Sequence, residues 1–125
     1  MQNYTFRLKS GEDLFDSIEA FVKEKHIEAG CILSGVGSLT HATLRLANRE
    51  FLSEYDGYFE IVSITGTVSI HGSHLHISIS DGDGKTIGGH FESGCKSIQR
   101  QKLSLRSSRM LSTNASLQKI LAMMS

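Results

Sequence analysis

Three of the six histidines lie in the stretch HLHISISDGDGKTIGGH, residues 74–90. His74 and His76 are separated by one residue, and His90 follows two glycines. Imidazole nitrogens bind zinc and other divalent metals, and three of them leave a fourth tetrahedral position for water or a ligand. The spacing therefore predicts a zinc or other divalent metal site at His74, His76 and His90. A polar strand face against solvent or a partner subunit would have the same composition, and the spacing leaves both interpretations open.

Two local elements have to position these histidines. Polar and aliphatic residues alternate over residues 74–80, which predicts a strand with two histidines on one face and Leu75, Ile77 and Ile79 on the other. The residues Asp-Gly-Asp-Gly at 81–84 predict a tight turn, because glycine adopts positive φ and aspartate accepts hydrogen bonds from nearby backbone. Such a turn sends residues 86–90 back beside the strand and brings His90 near the other histidines.

Asp81 and Glu92 are candidate partners for metal-bound histidines. A histidine that binds a metal usually donates its other ring N–H to a carboxylate or a carbonyl, and both carboxylates lie close to the histidines in sequence. They are also candidate general bases. The alternatives are a turn-forming aspartate and a solvated glutamate.

Arg45, Arg49 and Lys85 are candidate contacts for DNA or another ligand. Residues 1–95 contain seven of the 13 Lys and Arg and all 13 Asp and Glu, which gives them a net charge of −6. A phosphate-binding surface normally contains clustered Lys and Arg. These residues therefore do not by themselves indicate DNA binding.

Other chemistries have weaker motifs. The segment Gly35-Val36-Gly37-Ser38 lacks the three-glycine spacing of a dinucleotide-binding loop, and no serine lies in a nucleophile-elbow pattern. Neither cysteine has CxxC spacing or a neighbouring histidine, so we expect Cys31 and Cys95 to be free thiols. No catalytic residue is assigned, and whether the protein is an enzyme stays open.

The rest of the chain predicts an α+β domain. Tyr4, Phe6 and Leu8 alternate with polar residues, as in a half-buried strand. A helix follows: Ser10 and Asp13 resemble a capping box, and the apolar positions that recur at helical spacing are Leu14, Ile18, Phe21 and Val22. Several further β-rich segments follow, with Gly66 as a candidate bulge. We therefore predict a largely antiparallel sheet with one N-terminal helix packed on it.

The length of 125 residues suits one domain. The first residues lack a basic leader followed by an apolar stretch, and no apolar run approaches the length of a membrane span. We therefore expect a single cytoplasmic domain without a membrane partner.

Three blocks of the sequence occur together in one known family. ILSGVGSLTHATLRLAN, FEIVSITGTVSIHGSHLHISISD and GGHFESGC closely resemble the plants-and-prokaryotes-conserved (PPC) domain, and the resemblance covers about residues 4–95. The family includes stand-alone prokaryotic proteins and plant nuclear proteins with AT-hook motifs. The resemblance implies an α/β domain with an antiparallel sheet, a homotrimer, and a DNA-binding, gene-regulatory function. It also implies that His74, His76 and His90 match the HxH and GGH motifs through which some prokaryotic members hold a metal. The alternative function is a zinc-dependent enzyme or small-molecule binder with its site between subunits.

The resemblance ends after Cys95. Residues 96–125 contain six basic residues and no acidic residue, and they lack the TTAEI and TGY motifs that usually end the family. When Lys96 onward is back-translated and read from the third base of each codon, the hidden frame allows KYTTAEIII and later TGY. We therefore predict an incomplete PPC domain at residues 1–95, followed by a frameshifted tail at 96–125. A frameshift would replace a central strand, remove its ladder hydrogen bonds and apolar face, and give a destabilised, non-functional product. The segment NASLQKILAMM in this tail has the pattern of an amphipathic helix.

Overall fold

The computed structural model describes residues 2–97 and 101–107, the latter by their backbone. Eight strands and one helix are found in these residues. In chain order they are β1 (Gln2–Leu8), α1 (Leu14–Glu24), β2 (Gly30–Val36), β3 (Ser38–Arg45), β4 (Ser53–Val68), β5 (His74–Ser80), β6 (Thr86–Phe91), β7 (Lys96–Ser97) and β8 (Gln101–Ser107).

The described strands form one sheet in the order β1-β8-β2-β4-β5-β6-β3-β7. Every pairing between them is antiparallel. Because β3 also pairs with β4, the strands β3, β4, β5 and β6 close into a circuit of neighbours. The predicted α+β class with a largely antiparallel sheet is confirmed.

Helix α1 begins after Asp13, whose side chain accepts a hydrogen bond from the backbone N–H of Asp16 at 3.0 Å. The predicted cap at Ser10 is therefore wrong, because the aspartate three residues later has the capping geometry. The helix buries Leu14, Ile18 and Val22 in the same apolar cluster as the strands. Within residues 2–97 and 101–107, no helix has both the length and the hydropathy that a membrane crossing requires.

Irregular register appears where the sequence pattern did not predict it. β3 has a bulge between Leu39 and His41, and β4 has one between Ile61 and Ser63. The predicted bulge at Gly66 is wrong, because this glycine pairs in register with Leu75. Glycine at this position lets β4 lie close to β5, because a Cβ at Gly66 would lie 2.0 Å from the carbonyl oxygen of His74.

Residues 101–107 lie between β1 and β2 and pair with both. The predicted loss of ladder hydrogen bonds is therefore wrong for this segment. Ladder hydrogen bonds join backbone groups, and the sequence QKLSLRS keeps the polar–apolar alternation of a strand. The predicted helix in NASLQKILAMM lies outside the described residues.

Candidate metal centre

The three histidines meet at the open end of the β5–β6 hairpin. His76 pairs in register with His90, and His74 lies two residues before His76. The ring centroids are 5.1 Å apart for His74 and His76, 5.1 Å for His74 and His90, and 5.4 Å for His76 and His90. One nitrogen from each ring lies within 4.8 Å of the others. The prediction that the turn brings His90 beside the other two histidines is confirmed.

The strand pattern determines which side chains face this point. Leu75, Ile77 and Ile79 are buried in the core, whereas His74 and His76 are exposed on the opposite face. A register slip of one residue would bury the imidazoles and expose the aliphatic side chains. The apolar core therefore fixes the orientation of the histidine face.

The turn at the other end of the hairpin fixes the register. The Asp81 carboxylate accepts hydrogen bonds from the backbone N–H groups of Asp83 and Lys85, both at 2.9 Å. Gly84 has a φ of 80°, which suits glycine. Asp81 thus forms the turn, and the structure does not bring it to the histidines as a metal-site partner.

The two glycines before His90 let its strand lie close to both neighbours. A Cβ at Gly88 would lie 2.8 Å from the carbonyl oxygen of Ile77 on β5. A Cβ at Gly89 would lie 2.9 Å from the carbonyl oxygen of Arg45 on β3. The Gly-Gly-His motif therefore places an imidazole where three strands come close together.

The segment after His90 is tied to the start of the helix. The backbone N–H of Gly94 donates to Asp13 Oδ2 at 2.6 Å, and the Ser93 hydroxyl donates to the Asp16 carboxylate. Phe91 is fully buried and meets Phe15 of α1 edge to face at 5.5 Å. These contacts hold the end of β6, and with it His90, against the rest of the domain.

The histidine cluster fits a tetrahedral metal ion. Zinc–nitrogen bonds of about 2.0–2.1 Å place ligand nitrogens about 3.3 Å apart in a tetrahedron. The ligand nitrogens lie within 4.8 Å of one another, and rotation of the rings would bring them toward this spacing. His74 and His76 are exposed, so their rings rotate without displacing packed side chains.

His90 differs electrostatically from the other ligand candidates. Burial lowers the pKa of His90, nearby Glu92 opposes this effect, and the Arg45 guanidinium and the other two imidazoles add to the lowering. A neutral imidazole is the form that binds a metal. Glu92 Oε1 lies 3.4 Å from His90 Nε2, which places a carboxylate beside this ring.

A pocket of about 430 Å³ opens beside the histidines. Arg45 and Arg49 line it, together with the 46–48 segment that joins them and the backbone of Gly88 and Gly89. Sequence reasoning treated the arginines and the histidines as separate groups, although the pairing of Arg45 with His90 joins them. Lys85 lies instead at the turn end, in a pocket that Glu54, Asp56 and Asp81 also line. The three predicted basic contacts therefore do not form one patch.

His41 and the two cysteines lie outside this centre. His41 Nδ1 lies 2.6 Å from Asp56 Oδ1, and its Nε2 lies 3.4 Å from Glu54 Oε1. The hydrogen bond to Asp56 raises the pKa of His41 above its ordinary value of 6.5, although partial burial opposes this. Both cysteines are free thiols, and burial raises the pKa of Cys95 to about 12, so this thiol stays protonated at neutral pH.

A known protein family matches most of the chain. The model of the family described as the Plants and Prokaryotes Conserved (PCC) domain matches residues 1–101. The chain belongs to this family, the PPC domain named above.

Relatives of the PPC chain include much longer proteins. The bifunctional protein GlmU of Synechococcus sp. (strain JA-3-3Ab) is 42% identical over 95 residues, which are 74% of this chain and 15% of that protein. The AT-hook motif nuclear-localized protein 13 of Arabidopsis thaliana is 34% identical over 98 residues, with 69% of this chain and 22% of that protein covered. The chain thus spans less than a quarter of the length of either relative.

A solved structure with the same fold is a metal-containing protein from Archaeoglobus fulgidus. It is 28% identical, with a TM-score of 0.74, and the match covers 86% of this chain and 81% of that chain.

Proposed function

We propose that this PPC domain binds a divalent metal, with zinc as the expected ion, through His74, His76 and His90. The observation that supports this most directly is the approach of three ligand nitrogens to within 4.8 Å of one another. The related protein from Archaeoglobus fulgidus is described as metal-containing, which adds independent support.

A three-histidine site leaves one coordination position open. A zinc ion held in this way supplies a Lewis acid and a bound water of lowered pKa. The three histidines line one pocket with Arg45 and Arg49, so a small molecule in that pocket would lie beside a metal ion held by the imidazoles. Glu92 contacts the ring of His90, and its role is to orient that ligand. We therefore propose binding of a metal and a small molecule, and assign no catalytic residue.

Metal stoichiometry tests this function. The purified full chain is stripped with a chelator, reloaded with zinc and measured by elemental analysis. We expect one zinc per chain, and loss of that zinc in His76→Ala. His71→Ala is the matched control, because His71 is exposed and lies outside the cluster. Circular dichroism confirms folding of each variant, and a folded wild-type chain without zinc would contradict the proposal.

DNA binding is the second candidate function. It is favoured by the relationship to an Arabidopsis thaliana protein named for its AT-hook motif and nuclear location. The net charge of −6 over residues 1–95 opposes it, because phosphate contacts require clustered cations. Binding of a duplex by the metal-free chain, with an affinity that falls steeply with salt, would favour this function; no binding at low salt would exclude it.

A homotrimer is the assembly that the family implies, and we keep it as a proposal together with a cytoplasmic location. Exposed apolar side chains on the paired strands β2 and β4 support a subunit interface: they are Leu33, Val36, Tyr58 and Val62, between 47% and 78% exposed. Exposed apolar groups of this kind often mark association surfaces. Light scattering should give three times the chain mass, and Val62→Lys should lower it.

A further inference from the structure

We propose that the pocket beside the three histidines binds a small oxyanion, a carboxylate or a phosphate, through Arg45 and Arg49. This inference rests on the proposed metal site, because one oxygen of the same ligand would take the open coordination position. Arg45, Arg49 and the three histidines line one pocket. The arginines are thereby assigned to ligand recognition.

The sheet register places Arg45 at the metal site. Arg45 ends β3 and pairs with His90 on β6, and His90 pairs in turn with His76 on β5. These residues therefore follow one another across neighbouring strands, about 5 Å apart at each step. A ligand that reaches the imidazoles also reaches the guanidinium of Arg45.

Arg49 approaches from the loop after β3. Its backbone N–H donates to the carbonyl oxygen of Leu46 at 3.2 Å, and Asn48 adopts a left-handed conformation with a φ of 57°. The guanidinium of Arg49 lies 6.0 Å from the centroid of the Phe51 ring. This contact helps to hold the side chain without neutralising its charge.

The charges of the pocket favour an anion. In residues 2–97, neither Arg45 nor Arg49 has a carboxylate within ion-pair distance. Three neutral imidazoles would leave the full charge on a divalent ion, and the closest carboxylate to the histidines is that of Glu92, beside His90. Lys85 is the contrasting case, since acidic residues line its pocket.

The shape of the pocket favours a small ligand. Its volume of about 430 Å³ lies at the small end of typical ligand pockets. Gly88 and Gly89 contribute backbone to the wall, so no side chain separates the arginines from the imidazoles at these positions. A planar guanidinium pairs with two oxygens of one carboxylate or phosphate, which would give the oxyanion a defined orientation toward the metal.

Cobalt-loaded protein tests the inference, because tetrahedral Co²⁺ has visible absorption bands that change when a ligand enters the coordination sphere. The probes are glycolate and inorganic phosphate, and ethylene glycol is the uncharged control. Each is titrated into the wild-type chain and into Arg45→Gln and Arg49→Gln. Arg7→Gln is the matched control, since it removes the same charge from an exposed position on β1, far along the sheet from β3.

We expect at least one of the two anions to shift the cobalt bands, and ethylene glycol to leave them unchanged. Arg45→Gln should weaken binding of that anion about tenfold or more, as expected for a lost charge-assisted hydrogen bond. Cobalt affinity should stay the same in every arginine variant. A spectrum unaffected by both anions, or equal anion affinity in Arg45→Gln and Arg7→Gln, would overturn the inference and leave the metal site intact. Failure of the wild-type chain to bind cobalt would instead overturn the proposed metal site.

Discussion

Glu92 is close enough to His90 to orient its ring, with 3.4 Å between Oε1 and Nε2. A carboxylate in this position fixes the tautomer of a metal ligand and raises its basicity. We therefore predict that Glu92→Gln weakens zinc binding by about 10–100-fold, a typical cost for a lost partner of a ligating histidine. Calorimetric titration of zinc measures the effect.

Glu60→Gln is the control for this substitution. It removes the same charge from an exposed position on β4 that lies away from the histidines. Equal zinc affinities for the two variants would show that Glu92 does not position His90.

His41 is the residue whose titration is most directly predictable. Its hydrogen bond to Asp56 raises its pKa, so the charged form stabilises the folded state. This contribution is complete below the ordinary pKa of 6.5 and is lost as the pH rises through the raised value. We predict that Asp56→Asn lowers the pKa of His41, as followed by NMR of its ring protons. An unchanged pKa of His41 in this variant would contradict the assigned contact.

For single residues, the sequence predicted which side chains could bind a metal better than it predicted which residues they would contact. The clustering of His74, His76 and His90 follows from alternation and one turn, which are local patterns. Arg45 joins the same site through a pairing between strands distant in sequence, and no local pattern shows such a pairing. Asp81 was predicted as a candidate partner of the histidines, but its carboxylate instead accepts hydrogen bonds from the backbone of the turn.

Among the elements, the β5–β6 hairpin was predictable and the bulges were not. Its faces follow from period-2 alternation, and its reversal follows from the chemistry of the 81–84 turn. A bulge depends on how two strands accommodate each other, as between Ile61 and Ser63. The predicted bulge at Gly66 was wrong because glycine in a strand also marks close backbone approach.

A substitution at Gly66 tests the close packing of β4 against β5, the strand that carries His74. A Cβ there would lie 2.0 Å from the His74 carbonyl oxygen, and Gly66 has a φ of 134°. We predict that Gly66→Ala destabilises the fold by at least about 1–3 kcal/mol, the usual cost of a strained backbone residue. It should also weaken zinc binding, because β5 must shift to relieve the clash. Urea unfolding and zinc titration measure the two effects.

Gly82→Ala is the matched control for Gly66, since a Cβ at Gly82 would meet no atom within 4 Å. If the two variants had the same stability, the close approach of β4 and β5 at His74 would be contradicted.

For the whole molecule, the sheet order was beyond prediction from the sequence. It places β8, which begins at Gln101, between β1, which ends at Leu8, and β2, which ends at Val36. Among the described strands, β1 pairs with β8 alone. Residues 101–107 therefore complete the described part of the sheet, although the sequence predicts that they depart from the family pattern.

The frameshifted origin of residues 96–125 stays a proposal, and it makes a prediction about stability. Restoring one base near the codon of Lys96 should return the family ending and a better-packed strand at the β8 position. We predict a melting temperature at least about 4 °C higher, which corresponds to about 1 kcal/mol for a domain of this size. Thermal unfolding of both chains measures the difference. Equal melting temperatures would contradict the proposal. A gene sequence with no base lost near the codon of Lys96, together with relatives that share this ending, would also contradict it.

The central claim is that imidazoles from β5 and β6 hold one metal ion with one position open. X-ray absorption of the zinc-loaded chain measures the ligands and bond lengths at the metal directly. The account predicts three imidazole nitrogens at about 2.0–2.1 Å and one further light-atom ligand. A spectrum with sulfur ligands, or with fewer than three imidazoles around the zinc, would contradict it.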